Sequence, residues 1–324
     1  MKASKLTAPE EVSIRTIRER FVNLNYARLK RTQDLMRVRQ RDLLDLLPLL
    51  FHINQKGLPG FVSAQTPYGV AGYTPGDAAI AAAKKLLGGF QQDRRPARVF
   101  DIHAIFLMGS AGTVAFSPKS DFDIWLCHNP ELSPTQIQRL QEKAVAIEEW
   151  AETLGLEVHF FLMDAERFRR GETKDLSTES SGSAQHHLLL DEFYRTGLWL
   201  AGRYPLWWFV PPDEESNYEQ AVARVLKSGP LSPHEVIDLG PIGEVPANEY
   251  FGAALWQVYK GIDSPYKSVL KISLIESYAD SHPHTRLLCT QFKDAIYKGI
   301  TDVDELDPYI MLLHHLESFV AQQD

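Results

Sequence analysis

The chain has 324 residues, 44% of them hydrophobic, and a formal net charge of −8. That length predicts two or three folded units; the acidic balance disfavours a nucleic-acid partner, and no apolar run reaches the roughly 18 residues a membrane helix needs. Two distant cysteines, Cys127 and Cys289, argue against a disulfide framework or a zinc site, and the polar Met1–Glu11 lacks a signal peptide's apolar centre, so a cytoplasmic location is expected.

From about Glu10 to Phe51, apolar residues recur at helical spacing (Ile14, Ile17, Phe21, Leu24, then Leu43, Leu46, Leu47, Leu50), with Pro48 the only proline. The arginines and lysines crowding this stretch, Arg15 to Arg41, read as a solvated helix face paired with acidic neighbours. Gly57 to Gly76 is punctuated by glycine and proline and reads as a loop, followed by an alanine-rich helix from Asp77 to Leu87. Val99–Met108 and Phe122–Cys127 read as strands separated by a loop of small and polar residues. A helix follows, with Ser133 as N-cap, Pro134 in its first turn and Gly155 as its stop, and Leu156–Met163 reads as a third strand. Gly171 to Ala184 is serine-rich with no apolar stripe and reads as a mobile loop. Helical periodicity then runs through Gln185–Leu200, Tyr218–Leu226, Ala247–Lys260, Pro265–Tyr278, Thr285–Lys298 and Val303–Ala321. The fold class is therefore α+β: a mixed sheet with flanking helices, an N-terminal helical arm (1–95), a core (96–212) and a C-terminal helical domain (213–324).

Chemistry concentrates at Leu107-Met108-Gly109-Ser110 and Ser120-Asp121-Phe122-Asp123-Ile124-Trp125. Residues two apart on a strand share a face, so Asp121 and Asp123 point together while Phe122 and Ile124 enter the core. Mg²⁺ favours one or two carboxylates completed by water and phosphate oxygens. Glycine lets a backbone approach a ligand closely, and the exposed amides of such a turn, with the Ser110 hydroxyl, can hold phosphate. Glu157, between Leu156 and Val158, projects away from its apolar neighbours and reads either as a third carboxylate or as a solvent-facing strand residue. His159, on the same face, reads as a hydrogen-bonded structural residue. Lys260, Lys267 and Lys271 could reach a polyphosphate across a cleft, but spacing alone favours an ordinary solvated helix surface. Trp125 could pack beside the site, against a base, or in the core.

The Gly-Ser turn, Asp-x-Asp strand and later apolar-Glu-apolar strand resemble the nucleotidyltransferase superfamily that includes DNA polymerase β. More specifically, Ser120–Cys127, Leu188–Thr196 and Glu249–Lys267 resemble bacterial class I adenylate cyclases, the likeness running from about Arg20 onward. The resemblance implies a nucleotidyltransferase-type sheet and conversion of ATP to 3′,5′-cyclic AMP and pyrophosphate. Two Mg²⁺ (or Mn²⁺) ions would be shared by Asp121, Asp123 and Glu157. Gly109 and Ser110, helped by Ser120, would hold the β- and γ-phosphates, and Lys260, Lys267 and Lys271 would stand on the triphosphate's far side. Members of that family are longer and carry a C-terminal regulatory region, so a catalytic fragment is implied. The same core could instead move AMP to a separate acceptor, or bind nucleotide without turnover.

Overall fold

The computed structural model describes residues 12–91, 100–172, 185–262 and 264–323. The polar N-terminus through residue 11, the start of the first expected strand, the 95/96 boundary and the serine-rich loop from 173 onward lie outside the described residues.

Two helices open the chain, α1 (Ile14–Leu35) and α2 (Val38–His52), separated by the extended backbone of Met36 and Arg37. The Ser13 hydroxyl caps α1 by accepting from the Thr16 amide. Helix α3 (Asp77–Leu86) precedes β1 (Ile102–Met108) and β2 (Phe122–His128). Helix α4 (Pro134–Glu152) has the expected capping: Ser133 accepts from the Gln136 amide while the Gln136 side chain accepts from the Ser133 amide. Strand β3 (Val158–Met163), the short α5 (Ala165–Arg169) and α6 (His186–Thr196) follow.

The helix expected over Gln185–Leu200 stops at Thr196. Gly197 ends it, and Leu198–Gly202 is a strand, β4. The apolar run Leu198-Trp199-Leu200-Ala201 has no period of its own, and pairing with β1 decides its conformation. A further short pair, β5 (Tyr204–Pro205) with β6 (Val236–Ile237), is also absent from the sequence reading. The remaining helices are α7 (Tyr218–Ser228), α8 (Ala247–Lys260), α9 (Pro265–Asp280), α10 (Leu288–Tyr297) and α11 (Pro308–Gln323).

The main sheet has the order β3-β2-β1-β4, with β2–β3 parallel and the other pairs antiparallel, a mixed sheet as expected. It separates two apolar cores. One face carries Ile105, Leu107, Phe122, Ile124 and Leu126 into a core built with α2, α3 and α4. The other carries Ala104, Phe106, Trp125 and Cys127 into a core with α1, α6 and the C-terminal helices. Alternation along β2 thus works as expected, but both faces are covered. Asp121 and Asp123 occupy the end where the second cover gives way to a cleft.

Lys143 of α4 is buried, its ammonium 5.9 Å from the centre of the Phe51 ring. Burial pushes its pKa down from 10.5 to about 8. The unfolded chain keeps this proton up to about pH 10.5 and the folded chain loses it near 8, so the cost to the fold is full below pH 8 and fades as pH rises to about 10.5. Lys143→Met is therefore expected to raise stability by about 1–3 kcal/mol at pH 7 and to make no difference near pH 10.5, as read by urea unfolding at both pH values.

Candidate active site

Strand β1 ends at Met108, and Gly109 turns the chain with a φ of 89°. The Ser110 hydroxyl donates to the Ser120 hydroxyl at 3.1 Å, and Ser120 also accepts from the Ser117 amide, which folds the 109–120 loop onto itself. Distant segments fasten the loop. The Gly112 amide donates to Thr32 of α1 at 2.7 Å, and the Val114 amide donates to Asp307, which also pairs with Arg31 at 2.9 Å. Arg28, buried on α1, donates to the carbonyls of Gly112, Arg195 and Thr196. Gly112 has a φ of 72°, and a Cβ there would lie 2.9 Å from the Arg28 Cβ, so glycine is required twice over. Arg15, Lys30 and Arg31 pair with acidic neighbours as the sequence reading expects, whereas Arg20 and Arg28 clasp carbonyls.

The loop borders a cleft of about 690 Å³ between the sheet and α6, α8 and α9. Gly109, Ser110, Asp121, Asp123, Trp125 and Glu157 line it from the sheet side, and Lys260, Lys267 and Lys271 from the helices. Ser120 does not reach the cleft. It faces a neighbouring acidic hollow with Glu148, Glu149 and Glu152, and meets the site through Ser110.

Electrostatics distinguish the two aspartates. Burial, then repulsion from Asp121, pushes the Asp123 carboxyl up to about 6, while His159 and Lys260 pull the other way. Two carboxylates sharing one face of a strand end are an excess of negative charge that a divalent cation would relieve, so the donor set fits a hard ion. Glu157 immediately precedes β3 and runs in step with Asp121, since Phe122 pairs with Val158. Its side chain is 70% exposed and hydrogen-bonded to His159 at 3.0 Å. Among the described residues no three acidic, histidine or cysteine side chains converge into a ready-made ion cage. Water and phosphate oxygens must complete any coordination here, as Mg²⁺ prefers.

The Trp125 ring stacks on Phe193, 4.7 Å apart with planes at 6°, and meets Phe168 edge-on. At 4% exposure it offers the cleft only a margin. Lys267 lies close enough to Asp121 to feel its charge, although burial lowers the lysine pKa overall. Lys271 is already engaged, donating to Glu192 at 2.8 Å. Burial opposes ionisation of both, and their attraction outweighs it, so Glu192 titrates below and Lys271 above the usual range.

Sequence reasoning missed the charged floor of the cleft on α6. Asp191 and Arg195 pair at 3.2 Å with both side chains almost wholly buried, and Asp191 further accepts from the Cys289 amide and the Tyr278 hydroxyl. An acid followed four residues later by a base was the available signal, but their burial depends on helices about 90 residues downstream. Trp256 and Gln257 of α8 also line the cleft and were not singled out.

A cleft with an acidic pair at a strand end, a glycine-serine turn and facing lysines suits a polyphosphate accompanied by a divalent cation. Comparison with known proteins narrows this class. Residues 13–208 match the family described as "Adenylate cyclase NT domain", and 245–324 match "Adenylate cyclase, class-I, second domain". The chain is 40% identical over 310 residues to the adenylate cyclases of Shigella flexneri and Escherichia coli K12, and 37% identical over 311 residues to that of Yersinia intermedia. Each alignment covers 95% of this chain and 37% of the relative. No solved structure matches it. The chain belongs to the class I adenylate cyclase family. It spans 37% of the length of these relatives, and among the described residues no helix is long and apolar enough to cross a membrane.

Proposed function

We propose that this chain converts ATP to 3′,5′-cyclic AMP and pyrophosphate, with a nucleotidyltransferase-type core over 96–212 and the helices of 213–324 closing the nucleotide cleft. The observation that carries the reading is the convergence of Asp121, Asp123, Gly109, Ser110 and the three lysines on one cleft in a member of this family. Gly109 and Ser110 take the β- and γ-phosphates. Lys260 and Lys267 neutralise the triphosphate from α8 and the start of α9, while Lys271, whose charge Glu192 compensates, reaches a phosphate only by sharing its ammonium with that carboxylate. The ribose 3′-oxygen attacks the α-phosphorus, the bond to the β-phosphate oxygen breaks, and pyrophosphate departs. Glu157, exposed beside Asp121, is the carboxylate open to the hydroxyl proton. Mg²⁺ or Mn²⁺ held by Asp121 and Asp123, with Glu157 as third candidate ligand, would supply charge neutralisation and an acidified hydroxyl.

The test is incubation of the purified chain with ATP and Mg²⁺ or Mn²⁺. Cyclic AMP and pyrophosphate in equal amounts are the expected products. An adenylylated acceptor, or nucleotide binding with no product, would overturn the reading.

A further inference from the structure

The phosphate-facing groups share the cleft with the rest of the α8 wall, whose last residue is Lys260. There Trp256 and Tyr259 have their ring centres 5.5 Å apart with planes at 28°, and Tyr259 is 62% exposed. The Lys260 ammonium sits 5.6 Å from the centre of the Trp256 ring, and its charge is felt at Asp123. Residues four apart on a helix are neighbours, so the indole stands one turn from a lysine of the phosphate end. Gln257, next to the indole, lines the same wall. Trp125, the other indole at the cleft, is only 4% exposed, whereas Trp256 is half-buried and keeps surface open to the cleft.

We infer that Trp256, backed by Tyr259, is the stacking platform for the nucleotide base and that Gln257 reads adenine, an inference that rests on the cyclase reading above. A primary amide presents an N–H donor beside a carbonyl acceptor, so it can donate to N7 of adenine while accepting from the N6 amino group. Guanine presents two acceptors, O6 and N7, on that edge, and leaves the amide oxygen opposite another acceptor. The platform itself favours any base, since every base has a π-face.

Equilibrium binding of the α,β-methylene analogues of ATP and GTP, whose α–β link the reaction cannot break, and of inorganic tripolyphosphate to the whole chain, by calorimetry with Mg²⁺ present, tests this; in these binding measurements the analogues stand in for ATP and GTP. Trp256→Leu is expected to weaken ATP binding about 5- to 150-fold, the range for loss of one base–aromatic stack, while tripolyphosphate affinity stays within about twofold. Trp256→Phe should recover most of the loss. Gln257→Leu is expected to reduce the preference for ATP over GTP by about fivefold or more. Unchanged ATP affinity in Trp256→Leu, or an equal loss for tripolyphosphate, overturns the assignment. Cyclic AMP is measured on the wild-type chain in parallel. Its absence counts against the cyclase reading alone, because the base contribution is read from binding.

Discussion

Asp123→Asn should lower cyclic AMP formation by about 10²–10³-fold, a loss of at least ~3 kcal/mol of transition-state stabilisation, while making the metal-free protein more stable. The opposite signs have one origin. Asp123 is held in a partly desolvated position beside Asp121, which pushes its carboxyl up to about 6. In the unfolded chain this carboxyl ionises near 3.8, so the folded state binds the proton more tightly. The penalty is absent below about pH 4, grows as pH rises through 6, and is full at neutrality. Asparagine has nearly the same shape and no charge, so it should add about 1–3 kcal/mol at pH 7. Urea unfolding without metal, alongside a cyclic AMP assay with it, reads both. Near-normal turnover in the variant would remove Asp123 from the chemistry, and a destabilised variant would contradict the desolvation argument.

Asp191→Ala should cost about 3–5 kcal/mol of folding stability, the largest loss expected from any one side chain of the cleft. Its carboxylate accepts from the Arg195 guanidinium, the Tyr278 hydroxyl and the Cys289 amide, with 2% of its side chain exposed. Burial opposes the charge on Arg195, but Asp191 and then Glu192 outweigh it and raise its pKa. Alanine leaves that charge and a backbone N–H without their partner. A paired replacement, Asp191→Leu with Arg195→Met, should recover most of the loss, because it removes both charges together. Denaturant midpoints of the single and double variants decide the matter. A loss below about 1 kcal/mol in the single variant would mean that the pair is solvated.

Strand β2 was legible because it states its own geometry: two acids spaced by two at the head of an apolar run can only share a face. Helix α4 was equally plain, its serine, proline and glycine fixing both ends. Strand β4 was not, since Leu198–Ala201 follow a helix directly and only pairing with β1 makes them extended. Trp125 could be placed on the right face but not given a neighbour, and Phe193, which takes up its ring, lies 68 residues away. The charged floor was hidden for the same reason. Local spacing shows that Asp191 and Arg195 can meet, while α9 and α10, which exclude water from them, are specified elsewhere.

The single guanidinium of Arg28 spans the carbonyl at Gly112 and those closing α6, so the first helix works as a strut between the turn proposed to grip phosphate and the helix that floors the cleft. A chain shortened through that helix would keep every acid and lysine named for the chemistry, yet release the turn at three points at once: Arg28, Arg31 through Asp307, and Thr32. In this chain the bracing of that turn thus begins 93 residues before Asp121.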